Sequence, residues 1–291
     1  MQDLHPCLWF DTCTEQAAEL YASLFPSSRL GRKAFYGKAA AKESGQPEGS
    51  LLTLEFDLAD QHILGLNGGS MFRFTPALSF FVHCQTEAEI DRLWQGLSAG
   101  GKELMALDRY PWATKFGWTA DRFGVQWQLM LSDTPRAMIA PAFLFVKELF
   151  GRGQEALDFW QGIFPNSRTD FVARDDATGT IQHAAFTLNG RPFVLMEGQG
   201  PHDFTFNEAF SLVVPCDTQA EIDRVWAALT DGGSESQCGW LKDRFGVSWQ
   251  VAPSETGTWL SDPERSDAVM AEVVTMKKLD LARMEKAYRG G

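Results

Sequence analysis

The amino-acid sequence predicts an α+β fold built twice: two similar domains, each of two βαβββ units forming a curved mixed sheet with outer helices, plus a C-terminal helix. Three observations predict it. Blocks of sequence recur in the same order, the apolar spacing switches between strand and helix periods in a fixed rhythm, and each copy closes on the segment Asp-Arg-Phe-Gly-Val-x-Trp-Gln.

The recurrence is seen by laying the chain on itself. Phe25-Pro26-Ser27-Ser28-Arg29 returns as Phe164-Pro165-Asn166-Ser167-Arg168. The run Ala77 to Gly101 returns as Ala209 to Gly233, and Asp121 to Leu129 returns as Asp243 to Val251. The offset shrinks along the chain from 139 to 132 to 122, so the first copy holds extra residues between blocks. One excess lies near Ala39 to Glu48, the other at Leu107 to Thr114. A period above 100 residues is too long for a solenoid, so the boundaries fall at 1–134, 138–254 and a tail of 255–291.

Within copy two, Phe143 to Val146 is a short apolar run. Gln154 to Phe164 places Ala156, Leu157, Trp160 and Phe164 at helical spacing. Ile181 to Leu188 and Phe193 to Met196 read as strands around an Asn189-Gly190 turn. A second cycle follows: strand Ala209 to Val214, then a helix opened by the capping pattern of Asp217 to Glu221 and stopped at Gly232-Gly233. The closing hairpin turns at Phe245-Gly246. Copy one repeats the plan, with Thr86 to Leu97 as its second helix.

Strand alternation divides the closing segment into two faces. Val125, Trp127 and Leu129, like Val247, Trp249 and Val251, point toward the helices as core. Gln126 and Gln128, like Ser248 and Gln250, point the other way, toward a concave face. There the glutamines read equally as cross-strand partners or as ligand contacts. Trp94 with Trp226, and Trp127 with Trp249, are matched core pairs.

Composition narrows the function. Formal net charge is -12, which argues against a phosphate backbone or a polybasic membrane contact. The N-terminus lacks a basic and apolar leader, and no apolar run reaches the roughly 18 residues of a membrane span. The five cysteines, Cys7, Cys13, Cys84, Cys216 and Cys238, are odd in number and none sit as a C-x-x-C pair. A cytoplasmic protein with packed thiols is expected.

Several pieces together resemble the vicinal oxygen chelate superfamily (glyoxalase/bleomycin resistance/dioxygenase). They are Leu8-Trp9-Phe10-Asp11, the two Phe-Pro-x-Ser-Arg blocks, Leu66-Asn67-Gly68-Gly69, Gln182-His183-Ala184, the strand-helix runs and both closing segments. They are most similar to its PhnB-like branch, described as a 3-demethylubiquinone-9 3-methyltransferase domain. The resemblance implies tandem glyoxalase-like domains. It also implies metal ligands, typically His, His and Glu, on the first and last strands of the units. At the last-strand position this chain has Gln128 and Gln250, and the first-strand positions Leu78-Ser79 and Phe210-Ser211 offer no imidazole. His5 lies near one expected position, one residue out of register. No glycine-rich strand-to-helix turn is present to cradle a nucleoside, so methyl transfer is not expected.

The expectation is therefore a small-molecule-binding protein with a concave cavity and an incomplete metal site. Its ligand contacts are Gln126, Gln128, Ser248, Gln250 and Asn67. The alternative is a divalent-metal lyase, isomerase or dioxygenase centred on copy two, with His183, Glu197 and Gln250 as ligands. Pro263 to Tyr288 reads as an amphipathic helix that covers its own domain or joins two chains as a homodimer. The Leu107 to Lys115 excess reads as either a lid or a solvated insertion.

Overall fold

The computed structural model describes residues 1–132 and 138–290. The expected end of the first domain, at residue 134, lies outside them. Four βαβββ units follow one another. The first holds β1 (His5–Phe10), α1 (Thr14–Leu24), β2 (Arg29–Phe35), an inserted α2 (Lys38–Ser44), β3 (Leu51–Leu58) and β4 (Gln61–Asn67). The second holds β5 (Leu78–Cys84), α3 (Glu87–Ser98), β6 (Lys102–Tyr110), β7 (Ala113–Ala120) and β8 (Gln126–Leu131). The third holds β9 (Ile139–Phe145), α4 (Gly153–Ile163), β10 (Arg168–Arg174), β11 (Ile181–Leu188) and β12 (Arg191–Glu197). The fourth holds β13 (Phe210–Cys216), α5 (Gln219–Thr230), β14 (Ser234–Glu235), β15 (Trp240–Lys242) and β16 (Ser248–Pro253).

Local chemistry accounts for the ends of these elements. The Thr218 hydroxyl accepts from the Glu221 amide while the Glu221 carboxylate accepts from the Asp217 amide, one residue before the cap, a variant of the capping box. Thr86 and Glu89 repeat it in copy one. Asn189 and Gly190 both have positive φ, as a two-residue hairpin turn requires. The two excesses of copy one become α2 and the long β6–β7 hairpin.

The units do not pair within each copy. Sheet I runs β14-β15-β16-β13-β1-β4-β3-β2 and joins the first unit to the fourth. Sheet II runs β10-β11-β12-β9-β5-β8-β7-β6 and joins the second to the third. At each junction the first strands of two units lie antiparallel, with Cys7 opposite Ser211 in sheet I and Ala142 opposite Ser79 in sheet II. β9 starts only eight residues after β8 ends and returns beside β5, so the third unit stays with the second. Residues 68–77 and 198–209 carry the chain from one sheet to the other.

The helices cover one face of each sheet, but that face is interior to the molecule. One core holds Tyr21, Leu93, Trp160 and Val225 from the four main helices with Leu8, Trp127, Phe143 and Trp249 from both sheets. Phe80 of sheet II meets Phe210 of sheet I at 5.1 Å between ring centroids. Trp127 and Trp249 are fully buried here, each removing about 200 Å² from water. The faces without these helices are left turned outward.

The tail is helical in three pieces rather than one: α6 (Thr256–Leu260), α7 (Ser266–Val273) and α8 (Leu281–Arg289). Asp280 interrupts the pattern because its side chain caps a new start, accepting from the Arg283 amide at 3.0 Å. Among the described residues no helix is long and apolar enough to cross a membrane.

Candidate functional site

Strand alternation places different side chains on the outward faces of the two sheets. On sheet II that face lines a cavity of about 550 Å³. Phe81 comes from β5, Phe116 and Trp118 from β7, and Gln128 and Met130 from β8. Phe171 and Ala173 come from β10, His183 from β11 and Met196 from β12. Met105 and Trp112 reach it from the β6–β7 hairpin. The cavity thus draws on both sequence copies, because sheet II does.

Gln128, expected on the concave face, is there. It is 1% exposed, and its Nε2 donates to Ser79 Oγ at 2.9 Å. His183 lines the cavity, its ring meeting Phe81 edge-on at 5.3 Å. Trp118 lies at the cavity wall as well, whereas its matched residue Trp240 is in sheet I.

The other expected contacts are elsewhere. Gln126 turns back to donate to the Gly124 carbonyl at 3.0 Å. Ser248 is fully buried in sheet I. Asn67 serves α1: its Oδ1 accepts from the Thr14 amide at 3.0 Å, and its Nδ2 donates to the Leu51 carbonyl. Glu197, which does line the sheet II cavity, does the same for α4. One carboxylate oxygen accepts from the Gly153 amide at 2.8 Å and the other from the Ile181 amide. Both residues satisfy helix N–H groups that have no partner within the helix. His5 faces the same side of sheet I as Cys7 and stacks edge-on against His62 at 4.8 Å.

The proposed ligand set of His183, Glu197 and Gln250 does not converge. His183 and Glu197 are in sheet II, while Gln250 is in sheet I, where its Nε2 donates to Ser211 Oγ at 2.9 Å. Sequence reasoning treated each copy as one sheet, and the exchange of units separates these positions. Among the described residues no three His, Cys, Asp or Glu side chains group as metal ligands.

On sheet I the tail lies across the outward face. The repeat register pairs Phe116 with Cys238, Met130 with Ala252, Met196 with Leu66 and Phe171 with Arg32. All four sheet I counterparts meet the tail. Cys238 and Ala252 pack against the cluster of Trp259, Val269, Val273 and Met276. Leu66 packs in one cluster with Met270, and Arg32 donates to Thr258 Oγ1 at 2.5 Å. The Cys238 and Gly239 amides donate to the Met276 and Lys277 carbonyls, both at 2.7 Å. The tail therefore covers its own chain.

Phe81, Met105, Phe116, Phe171 and Met196 were not singled out from sequence. A signal for four of them is divergence between the copies. Val213, Cys238, Arg32 and Leu66 stand where sheet II has Phe81, Phe116, Phe171 and Met196.

The family model described as 3-demethylubiquinone-9 3-methyltransferase matches residues 2–130 and again 137–252. A putative 3-demethylubiquinone-9 3-methyltransferase, PhnB protein, from Bacillus cereus is 35% identical over 45% of this chain and 100% of its own, with a TM-score of 0.41. Glyoxalase I from Zea mays is 10% identical over 86% of this chain and 91% of its own, with a TM-score of 0.55, a likeness of fold. No curated protein matches the sequence.

Proposed function

The chain belongs to the 3-demethylubiquinone-9 3-methyltransferase family, a PhnB-like branch of the vicinal oxygen chelate superfamily, and on that premise we propose that it binds a small, largely apolar molecule in the sheet II cavity. The observation that carries this reading is the cavity itself. It holds about 550 Å³, in the range usual for small-molecule sites, and eight of the fourteen described residues that line it are Phe, Trp or Met.

The residues present do not fit the superfamily's metal. Ser79, Gln128 and Ala142 stand on the first and last strands facing the cavity, and an amide or hydroxyl holds a divalent cation far less well than a carboxylate and two imidazoles. The imidazoles of His183 and His83 both pack against the Phe81 ring, at 5.3 and 5.0 Å between centroids, and Glu197 spends both oxygens on backbone amides. Methyl transfer is not invoked, since both sheets are mixed and neither offers the doubly wound nucleoside crevice.

The test is titration of the full chain with Nile red, a neutral fluorophore, and separately with zinc, nickel and manganese ions. Dye binding near one per chain, abolished by filling the cavity with Met196→Trp, is expected. Stoichiometric metal binding that disappears in His183→Ala would replace this reading with the divalent-metal lyase, isomerase or dioxygenase one.

A further inference from the structure

We infer that the ligand is a planar aromatic compound without negative charge, held at the cavity mouth by Trp112 and Phe171. The inference rests on the sheet II cavity being a binding site.

Charge is the first argument. Among the described residues that line the cavity there is no lysine or arginine. A carboxylate, sulfonate or phosphate entering it would give up water and meet no lysine or arginine among them in return. Glu197 is the one charged residue among those described at the wall, and the chain as a whole carries -12. That field repels anions and favours cations. Gln128 commits one of its two Nε2 N–H bonds to Ser79, and its Oε1 is an acceptor suited to a ligand N–H.

The second argument is the placement of exposed rings. Large apolar side chains at least two-fifths exposed number five among the described residues, and two of them are at this cavity. Trp112 is 58% exposed and Phe171 is 47% exposed. They come from different copies, Trp112 from the β6–β7 hairpin and Phe171 from the edge strand β10. Trp112 is not loose: its ring stacks on Tyr110 at 5.3 Å and meets Phe116 edge-on at 4.6 Å. A supported ring kept in water has no folding advantage. Copy two lacks the hairpin arm, and the sheet I counterpart of Phe171 is Arg32, so neither ring is a requirement of the fold. Flat π systems stack on such rings, and a cationic one gains further attraction from their faces.

The experiment uses three planar fluorophores on the full chain: thioflavin T (a cation), Nile red (neutral) and 8-anilinonaphthalene-1-sulfonate (an anion). The first two are expected to bind at least about ten-fold more tightly than the third, with Trp112→Ala and Phe171→Ala each weakening them about ten-fold. Phe35→Ala, an equally exposed ring on the edge of sheet I, serves as the control and is expected to change nothing. Tightest binding of the sulfonate, lost in Trp112→Ala, would overturn the charge class while leaving the site in place. Binding lost in Met196→Trp but indifferent to Trp112→Ala and Phe171→Ala would overturn the clamp. Binding of all three dyes that ignores Met196→Trp would overturn the cavity reading beneath both.

Discussion

Asp243 and Trp160 join the two sheets through the core: Asp243 Oδ2 accepts from Trp160 Nε1 at 2.8 Å. Trp160 belongs to α4, over sheet II, and Asp243 opens the closing hairpin of sheet I. The same oxygen accepts from Trp249 Nε1, and Oδ1 accepts from the Phe245 and Val247 amides. Copy one repeats the arrangement with Asp121, which accepts from the Tyr21 hydroxyl at 2.6 Å and from Trp127. Sheets are shared between copies, and these aspartates bind each copy to itself. The aspartate of the repeated segment is thus as important as its tryptophan.

Replacing Asp243 or Asp121 with alanine strands several buried N–H or O–H donors at once. Each substitution is expected to lower unfolding free energy by about 3 kcal/mol or more. Urea denaturation at pH 7.5 measures it, and a loss below about 1 kcal/mol would show that the donors find other partners.

Burial pushes the Asp243 carboxyl up to about 6, against the pull of its four N–H donors. An acid whose folded pKa lies above its unfolded value has its full stabilising contribution below the unfolded pKa. That contribution is lost as pH rises through the folded one. Between about pH 4 and 6 the group therefore removes about 3 kcal/mol as it ionises. The stability difference between the native chain and Asp243→Asn should shrink as pH rises over that window. A difference independent of pH would count against the raised pKa.

Much of this was legible in the sequence, and the rest was not for physical reasons. Period-two alternation assigned Trp127 to the core and Gln128 to the open face, since alternation reports which face a side chain takes. It is silent on which strand lies alongside, so the exchange of units between sheets went unseen, and with it the separation of Gln250 from His183. Glu197 and Asn67 looked like ligands because they end inner strands. Their targets, the first turns of α4 and α1, lie 44 and 53 residues away in the chain. Trp112 was recognised as part of an insertion, but its stacking on Tyr110 depends on the hairpin being formed.

The tail should behave as part of the fold. Trp259→Ala removes a ring that is 6% exposed and is expected to cost about 3 kcal/mol. Cys238 packs against the same cluster, and burial pushes its thiol up to about 11. Loosening the tail should raise its rate of disulfide-reagent labelling at pH 8, read by mass spectrometry, by about ten-fold or more. Unchanged stability together with unchanged labelling would mean that the segment only rests on sheet I.

His183 and Glu197 should separate cleanly by phenotype. Glu197 accepts two backbone N–H bonds and touches the helix, so Glu197→Ala is expected to reduce stability by about 2 kcal/mol. Asn67→Ala should do likewise for α1 by about 1 kcal/mol. His183 stands at the cavity wall against Phe81, so His183→Ala should change dye affinity while costing less stability than Glu197→Ala. Metal chelation should alter neither property. If instead both substitutions abolished binding with stability intact, and chelation reproduced the effect, the two residues would be acting together as ligands after all.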